Sequence, residues 1–276
     1  MINLQLAGRL GNQLFQWAIA LKAQERLQEV CLVYDNYHQS TPTSILRELV
    51  HGKIEIRKSN LIGRILQIED RFFAESEVLK RFIQTESDPY EIFSTIPSST
   101  KILRGFFQNW QNVSQSEQTI KDELSRVADK VLNSSPKLIK VRDELEDFNA
   151  VHVRIGDYRN SKFGVLSPEF YSSIKRKLDG PVVVFTDQDQ LPEEYIAALK
   201  PDYIFTPKSL SSEESFALMS CANSLMLANS TFSWWSGFLV LQNDREVIIP
   251  DPWLKDSTSA SALVYPRMIK AKSLFI

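Results

Sequence analysis

The sequence predicts an α/β fold in two halves, with a parallel sheet covered by helices on both faces. Two observations predict it. From Asn149 onward, short continuous apolar runs alternate with helical patterns, as they do when strands are buried on both sides. Near the N-terminus, a strand, a glycine-bearing loop, a helix and a second strand succeed one another in the outline of a nucleotide-binding βαβ unit.

Ile2, Leu4 and Leu6 alternate over residues 1–6 and read as the first strand. Ala7–Gln13 reads as a loop, and Leu14–Arg26 as a helix apolar nearly all round, hence well buried. Val30–Tyr34 is the next strand, ending at Asp35. The loop glycines, Gly8 and Gly11, are spaced G-x-x-G rather than G-x-G-x-x-G. The dinucleotide fingerprint is therefore absent, and a tight βα turn accounts for them as well. Residues 41–100 carry little pattern: Leu61–Leu79 has helical periodicity, and Asp88-Pro89 and Ile96–Ser99 are turn signals. Leu103–Trp110 joins a strand to an aromatic cluster, either core or a platform for a sugar ring. Ser116–Leu132 is a helix that Asn133-Ser134-Ser135-Pro136 stops, placing the two halves at 1–140 and 141–276. Strands then fall at 149–155, 182–186, 203–206, 224–228 and 246–249, with helices at 168–178, 192–199, 213–221 and 232–241 between them.

Composition removes several function classes. With 276 residues, 43% hydrophobic and 24% charged, the chain is an ordinary globular one. A net charge of −2 gives no electrostatic footprint for nucleic acid. Cys31 and Cys221 are far apart in mostly apolar runs, which excludes a disulfide framework and a cysteine metal cluster. His38, His51 and His152 are too scattered for a histidine-rich metal site. The first residues lack the basic-then-apolar pattern of a signal peptide, and no apolar run spans a bilayer, so a cytoplasmic protein is expected. The Asn-x-Ser/Thr matches at Asn112, Asn133 and Asn229 are then chance occurrences.

The chemistry concentrates where strands end. Period 2 puts His152 and Arg154 on one face of their strand, and Val151, Val153 and Ile155 on the other. The strand breaks at Gly156-Asp157, leaving a carboxylate three residues from the guanidinium. In an open parallel sheet, ligands sit beyond the C-terminal strand ends. The permanently charged planar fork of Arg154 suits a diphosphate; a structural Arg154–Asp157 pair is the plainer alternative. Thr186-Asp187, Thr206 and Asn229-Ser230-Thr231 mark three further strand ends. The last precedes a helix near Phe232, and a helix N-terminus with two hydroxyls attracts an anion, although Ser230 or Thr231 also serves simply as its cap. Phe232, Trp234, Trp235 and Phe238 read as core, with a pocket-lining tryptophan as the alternative. Asp187-Gln188-Asp189 matches D-x-D, a pattern that in many sugar-nucleotide transferases holds a divalent metal on the diphosphate.

These residues resemble a known family. Gly8–Gln16, His152–Tyr158, Phe185-Thr186-Asp187, and Leu218–Cys221 through Asn229–Trp235 are similar to the corresponding blocks of the bacterial α-1,2-fucosyltransferases, glycosyltransferase family 11. The last block is long and unusual in composition, which makes it specific. More distantly the chain resembles protein O-fucosyltransferases and α-1,6-fucosyltransferases. The resemblance implies a GT-B fold of two Rossmann-like domains with the active-site cleft between them. It implies inverting, metal-independent transfer of fucose from GDP-β-L-fucose to the 2-hydroxyl of a terminal galactose, with no cofactor. The family's His-x-Arg motif falls on His152 and Arg154, which implies that Arg154 grips the β-phosphate with His152 nearby. Asp187 falls on the segment facing the nucleoside, and Asn229, Ser230, Thr231 and Phe232 on the phosphate-binding turn. Arg9, Leu10 and Asn12 fall on an N-terminal loop, 8–13, that closes over the diphosphate. Asp157 is the candidate general base. The family's second arginine is Ile155 here; because it points away from Arg154, an arginine at 155 is expected to spare donor binding. The expected acceptor is a β-galactoside glycan, including a lipid-linked one at the inner membrane. The rival readings are another linkage, a metal-dependent transferase using Asp187 and Asp189, and a binding protein without turnover.

Overall fold

The computed structural model describes residues 1–25, 29–34, 41–58, 83–85, 96–97, 99–145, 147–176, 178–256 and 260–276. Arg26, Asp35, the Leu61–Leu79 periodicity, Asp88-Pro89 and Ser98 lie outside them. The chain forms two compact units, Met1–Glu123 and Leu124–Ile276.

The first unit is built on β1 (Ile2–Gln5), α1 (Leu10–Glu25), β2 (Val30–Tyr34), α2 (Ser44–Leu49), β3 (Ile54–Lys58), β4 (Ile83–Thr85), β5 (Ile102–Arg104) and α3 (Trp110–Ser114). Among the described residues its five strands are all parallel, in the order β3-β2-β1-β5-β4. α1 begins at Leu10, not at Leu14 as expected. Gln13 donates its backbone N–H to the Arg9 carbonyl at 3.0 Å, so Leu10–Gln13 is already the first helical turn. Two buried glutamines fix that turn. Gln13 donates to the Gly8 and Thr41 carbonyls at 3.0 Å each and accepts the Thr43 N–H at 3.0 Å. Gln16 accepts the Ala7 N–H at 3.1 Å and donates to the Gly105 carbonyl at 2.8 Å. Buried amides of this kind are retained because each satisfies backbone groups that water cannot reach. Phe107 is fully buried and Phe106 is exposed, so the aromatic cluster after β5 contributes one ring to the core.

Helix α4 (Glu117–Ser134) carries the division between the units within its length. The break expected at Asn133–Pro136 is displaced into this helix. A turn signal reports where the backbone bends, whereas a unit boundary depends on which core each buried residue joins. The second unit continues with α5 (Pro136–Glu144), β6 (Asn149–Val153), α6 (Pro168–Lys175), β7 (Val182–Thr186), α7 (Glu193–Leu199), β8 (Tyr203–Phe205), α8 (Ser212–Met219), β9 (Ser224–Met226), α9 (Thr231–Gln242), β10 (Glu246–Asp251) and β11 (Ile269–Lys272). The six described strands are all parallel, in the order β11-β10-β9-β6-β7-β8. The chain winds outward from β6 through β7 to β8. It then returns to the other side of β6 at β9 and winds out again through β10 to β11. This is the doubly wound order, and its switch point lies between β6 and β9.

β6 and β7 are buried along their whole length, which is why their sequences are continuous apolar runs. α9 is apolar nearly all round, with Trp234, Trp235 and Phe238 fully buried. Trp234 spends its indole N–H on the Leu263 carbonyl at 2.7 Å. Both tryptophans are core. Gly237 lets α9 settle on the sheet: a Cβ there would meet Leu227 at 3.0 Å and Val247 at 3.1 Å.

Candidate active site

The register brings the predicted strand-end residues to one level. Val153 pairs with Thr186 across β6 and β7, so Arg154 and Asp187 both lie one residue beyond their strands. Val151 pairs with Met226 across β6 and β9, which carries Asn229 and Ser230 past the end of β9 on the other side of β6. Arg154, Asp187, Asn229 and Ser230 therefore gather at the switch point, where an open α/β sheet leaves its crevice. Thr206 lies past β8, at the far edge of the sheet, and accepts the Lys208 N–H at 3.3 Å.

Arg154 is surrounded by carboxylate and π-density. Its Nη2 donates to Asp157 Oδ1 at 2.5 Å. Its Nε is 3.3 Å from Asp187 Oδ2, close enough for ionic attraction but without hydrogen-bond alignment. Its guanidinium carbon lies 5.4 Å from the centre of the Tyr158 ring, a cation–π distance. Asp187 is expected on the nucleoside side but is oriented toward Arg154 and the β6 end. Its Oδ1 accepts the Ile155 N–H at 2.9 Å and a Gln188 amide hydrogen at 3.2 Å. Only a glycine at 156 allows this approach, since a Cβ would stand 2.4 Å from Asp187 Oδ2. Asp189 points elsewhere: it is exposed and pairs with Lys208 at 2.8 Å. The two aspartates of the D-x-D pattern thus have separate partners. Among the described residues no group of three or more His, Cys, Asp or Glu side chains converges on a point.

His152 lies within the strand, buried, rather than beside Arg154 at an open edge. Burial, reinforced by the Arg154 charge, pushes its pKa down to about 3, so the imidazole is neutral at physiological pH. Its ring tilts against Phe232 at 5.6 Å, and its Nδ1 has no hydrogen-bond partner among the described residues. Burial pushes the Tyr158 phenol up to about 12, so that residue also stays uncharged.

The turn after β9 does two jobs. Ser230 caps α9 by accepting the Phe232 N–H at 3.4 Å, and Thr231 is the first helical residue. This leaves a twelve-residue helix with its positive end at the switch point. Asn229, 1% exposed, donates its amide to the Phe163 and Gly164 carbonyls at 3.1 and 3.0 Å. It is therefore a clamp on the loop between β6 and α6, a role the sequence did not suggest. Tyr158 and Phe163 of that loop contact each other, ring centres 5.1 Å apart. The same loop is tied down by residues 273–276. Leu274 accepts the Ser167 N–H at 2.7 Å, and Ile276 donates to the Val165 carbonyl at 3.0 Å. The sequence signal for this pairing is weak, because Leu166 and Phe275 form only an isolated antiparallel bridge.

Ile155 is 1% exposed and packs with Val151, Val153, Leu166 and Phe170. It does point away from Arg154, but into the core. An arginine there would bury a guanidinium, so the expected tolerance of that substitution is reversed. Of the N-terminal residues, Arg9 is exposed and Leu10 is 3% exposed, within helix α1. Asn12 accepts a Gln108 amide hydrogen at 3.0 Å. Residues 10–13 are therefore helical rather than a closing loop, and Leu10 is a core residue.

The O-antigen biosynthesis glycosyltransferase WbnK of Escherichia coli is 26% identical over 284 aligned positions, covering 90% of this chain and 93% of that protein. An alpha-1,2-colitosyltransferase of Escherichia coli is 24% identical and covers 91% of each chain. The crystal structure of the fucosyltransferase NodZ from Bradyrhizobium superposes with a TM-score of 0.50 at 15% identity, over 87% of this chain and 92% of that one. The expected class, an α/β GT-B fold of two Rossmann-like units, is the fold observed. The model of glycosyl transferase family 11 matches residues 1–263, nearly the whole length, and the chain belongs to that family.

Proposed function

We propose that this protein transfers L-fucose from GDP-β-L-fucose to the 2-hydroxyl of a terminal β-galactose, with inversion and without a metal. The observation that carries the reading is the pairing of the Arg154 fork with the N-terminus of α9 across the β6–β9 switch point. In the reaction the galactose O2 attacks fucose C1, the bond from C1 to the β-phosphate oxygen breaks, and GDP leaves with the electron pair. Positive charge grows on the sugar and negative charge on the phosphate. Arg154 and the α9 N-terminus stabilise that phosphate charge, which acts on the transition state more than on the ground state. Asp157 takes the proton from the 2-hydroxyl, a contribution of ~10²–10⁴-fold for a positioned base. His152 stays neutral and packs the donor side of the site without adding charge. Asn229, Ser230, Thr231 and Phe232 form the phosphate turn. A lipid-linked O-antigen unit is a fitting acceptor, given the name of one relative.

The test is product analysis with GDP-fucose and lactose in the presence of EDTA. The expected result is GDP release and a trisaccharide carrying fucose α-linked to galactose O2, by mass spectrometry and NMR. Activity that appears only with added manganese would replace this reading with the metal-dependent one. GDP bound but never released from GDP-fucose would leave a binding protein. A second donor is favoured by the colitosyltransferase relative. Colitose is fucose without its 3-hydroxyl, so a site built to bond that hydroxyl would discriminate by ~10⁴–10⁵-fold, and the ratio of kcat/KM for the two donors decides between them.

A further inference from the structure

The Arg154–Asp157 pair lies in the proposed donor site, and the role inferred for it rests on that reading. Asp157 Oδ1 sits on Arg154 Nη2 at 2.5 Å. Nη2 is the one nitrogen common to both planar edges of a guanidinium, the Nε–Nη2 edge and the Nη1–Nη2 edge. Nη2 gives one hydrogen to each edge, so a phosphate that takes Arg154 as a fork through the edge that Asp157 occupies needs the hydrogen that Asp157 holds. The neighbouring carboxylate cannot yield in its place. Asp187 is 15% exposed and is fixed by the Ile155 N–H and the Gln188 amide. The Asp157 side chain is 56% exposed, and Arg154 is the group it hydrogen-bonds, so it swings into solvent at little cost. Tyr158 stays beneath the guanidinium during such an exchange and keeps its plane in place.

We propose that Asp157 is an internal competitor for the Arg154 fork, displaced when the donor diphosphate binds, so that a free carboxylate stands beside the reacting sugar only after the donor has arrived. The exchange breaks one ion pair and forms another, and no proton moves. It couples the order of binding to the chemistry, with donor first and acceptor activated second.

The experiment is calorimetric titration of GDP into the wild type and into Asp157→Asn, Asp189→Asn and Arg154→Ala, with turnover measured on each. Asp157→Asn is expected to bind GDP about two- to fivefold tighter, the size of one partly exposed ion pair removed from competition. It is expected to turn over more slowly in spite of that. Asp189→Asn, whose carboxylate is engaged by Lys208, is expected to change GDP affinity by less than about twofold. Unchanged or weaker GDP binding by Asp157→Asn, with wild-type binding intact and Arg154→Ala impaired, overturns the competition while the donor site stands. Equal tightening in Asp189→Asn also overturns it, because general charge repulsion then suffices. Absent binding by the wild type, or full binding by Arg154→Ala, removes the donor site and the competition together. Asp157→Ser repeats the measurement in a variant that lacks the asparagine's amide.

Discussion

At the scale of single residues, His152 is the group whose chemistry the fold changes most. An unfolded histidine takes up a proton near pH 6.5, whereas His152 in the fold takes one up only near about 3. Between those values the unfolded chain holds the extra proton, so stability falls as pH falls through that window and is flat above it. The melting temperature is therefore expected to drop between pH 7 and pH 5, and to drop less in His152→Asn. Equal drops in the two proteins would mean that other groups carry the acid sensitivity. Arg154 and Ser230 were legible in the sequence because each comes after a short apolar strand, and a parallel sheet gathers such ends. The roles of Asp187, Asn229 and Ile155 were not. Asp187 and Asn229 are defined by backbone groups far along the chain, Ile155 and Phe163 among them, which no local spacing encodes. Ile155 alternates correctly out of the Arg154 face, but alternation does not say whether the opposite face meets solvent or core.

At the scale of elements, helix α9 makes the N-terminus in the proposed donor site dependent on close packing behind it. Gly237→Val would drive methyl groups into Leu227 and Val247, already 3.0 and 3.1 Å from a bare Cβ. Overpacking of this kind costs about 1–3 kcal/mol, to be read as a lower denaturation midpoint, with GDP affinity reduced if α9 shifts. An unchanged midpoint would show that the sheet yields instead. The strands of the second unit were readable because both faces are covered and their sequences are unbroken apolar runs. α5 and β11 were not. α5 buries only Leu138, so it has almost no periodic signature. β11, Ile-Lys-Ala-Lys, is an edge strand whose two lysines help guard an open sheet edge but disguise it as a loop. α1 was found but begun too late, since its first turn is held by Gln13 and Gln16 through carbonyls elsewhere in the chain.

At the scale of the whole molecule, the sequence carried the alternation of strands and helices but not their lateral order. The order β8-β7-β6-β9-β10-β11 decides which two strand ends flank the crevice, and that depends on pairing between distant segments. The hydrogen bonds from Ser167 to Leu274 and from Ile276 to Val165 belong to this scale too. Deleting Leu274–Ile276 is expected to leave the far-UV circular dichroism almost unchanged while weakening GDP binding; full binding by the shortened chain would show that the Asn229 clamp alone holds the loop. These bonds also bear on the order in which the molecule matures. The loop beside Arg154 leaves β6 and gains its Asn229 clamp after β9, but its fastening by residues 274–276 arrives only after β10 and β11 have been made. A folding chain with its sheets complete would still lack a finished loop beside the proposed donor site, so the gain of GDP binding should trail the gain of secondary structure.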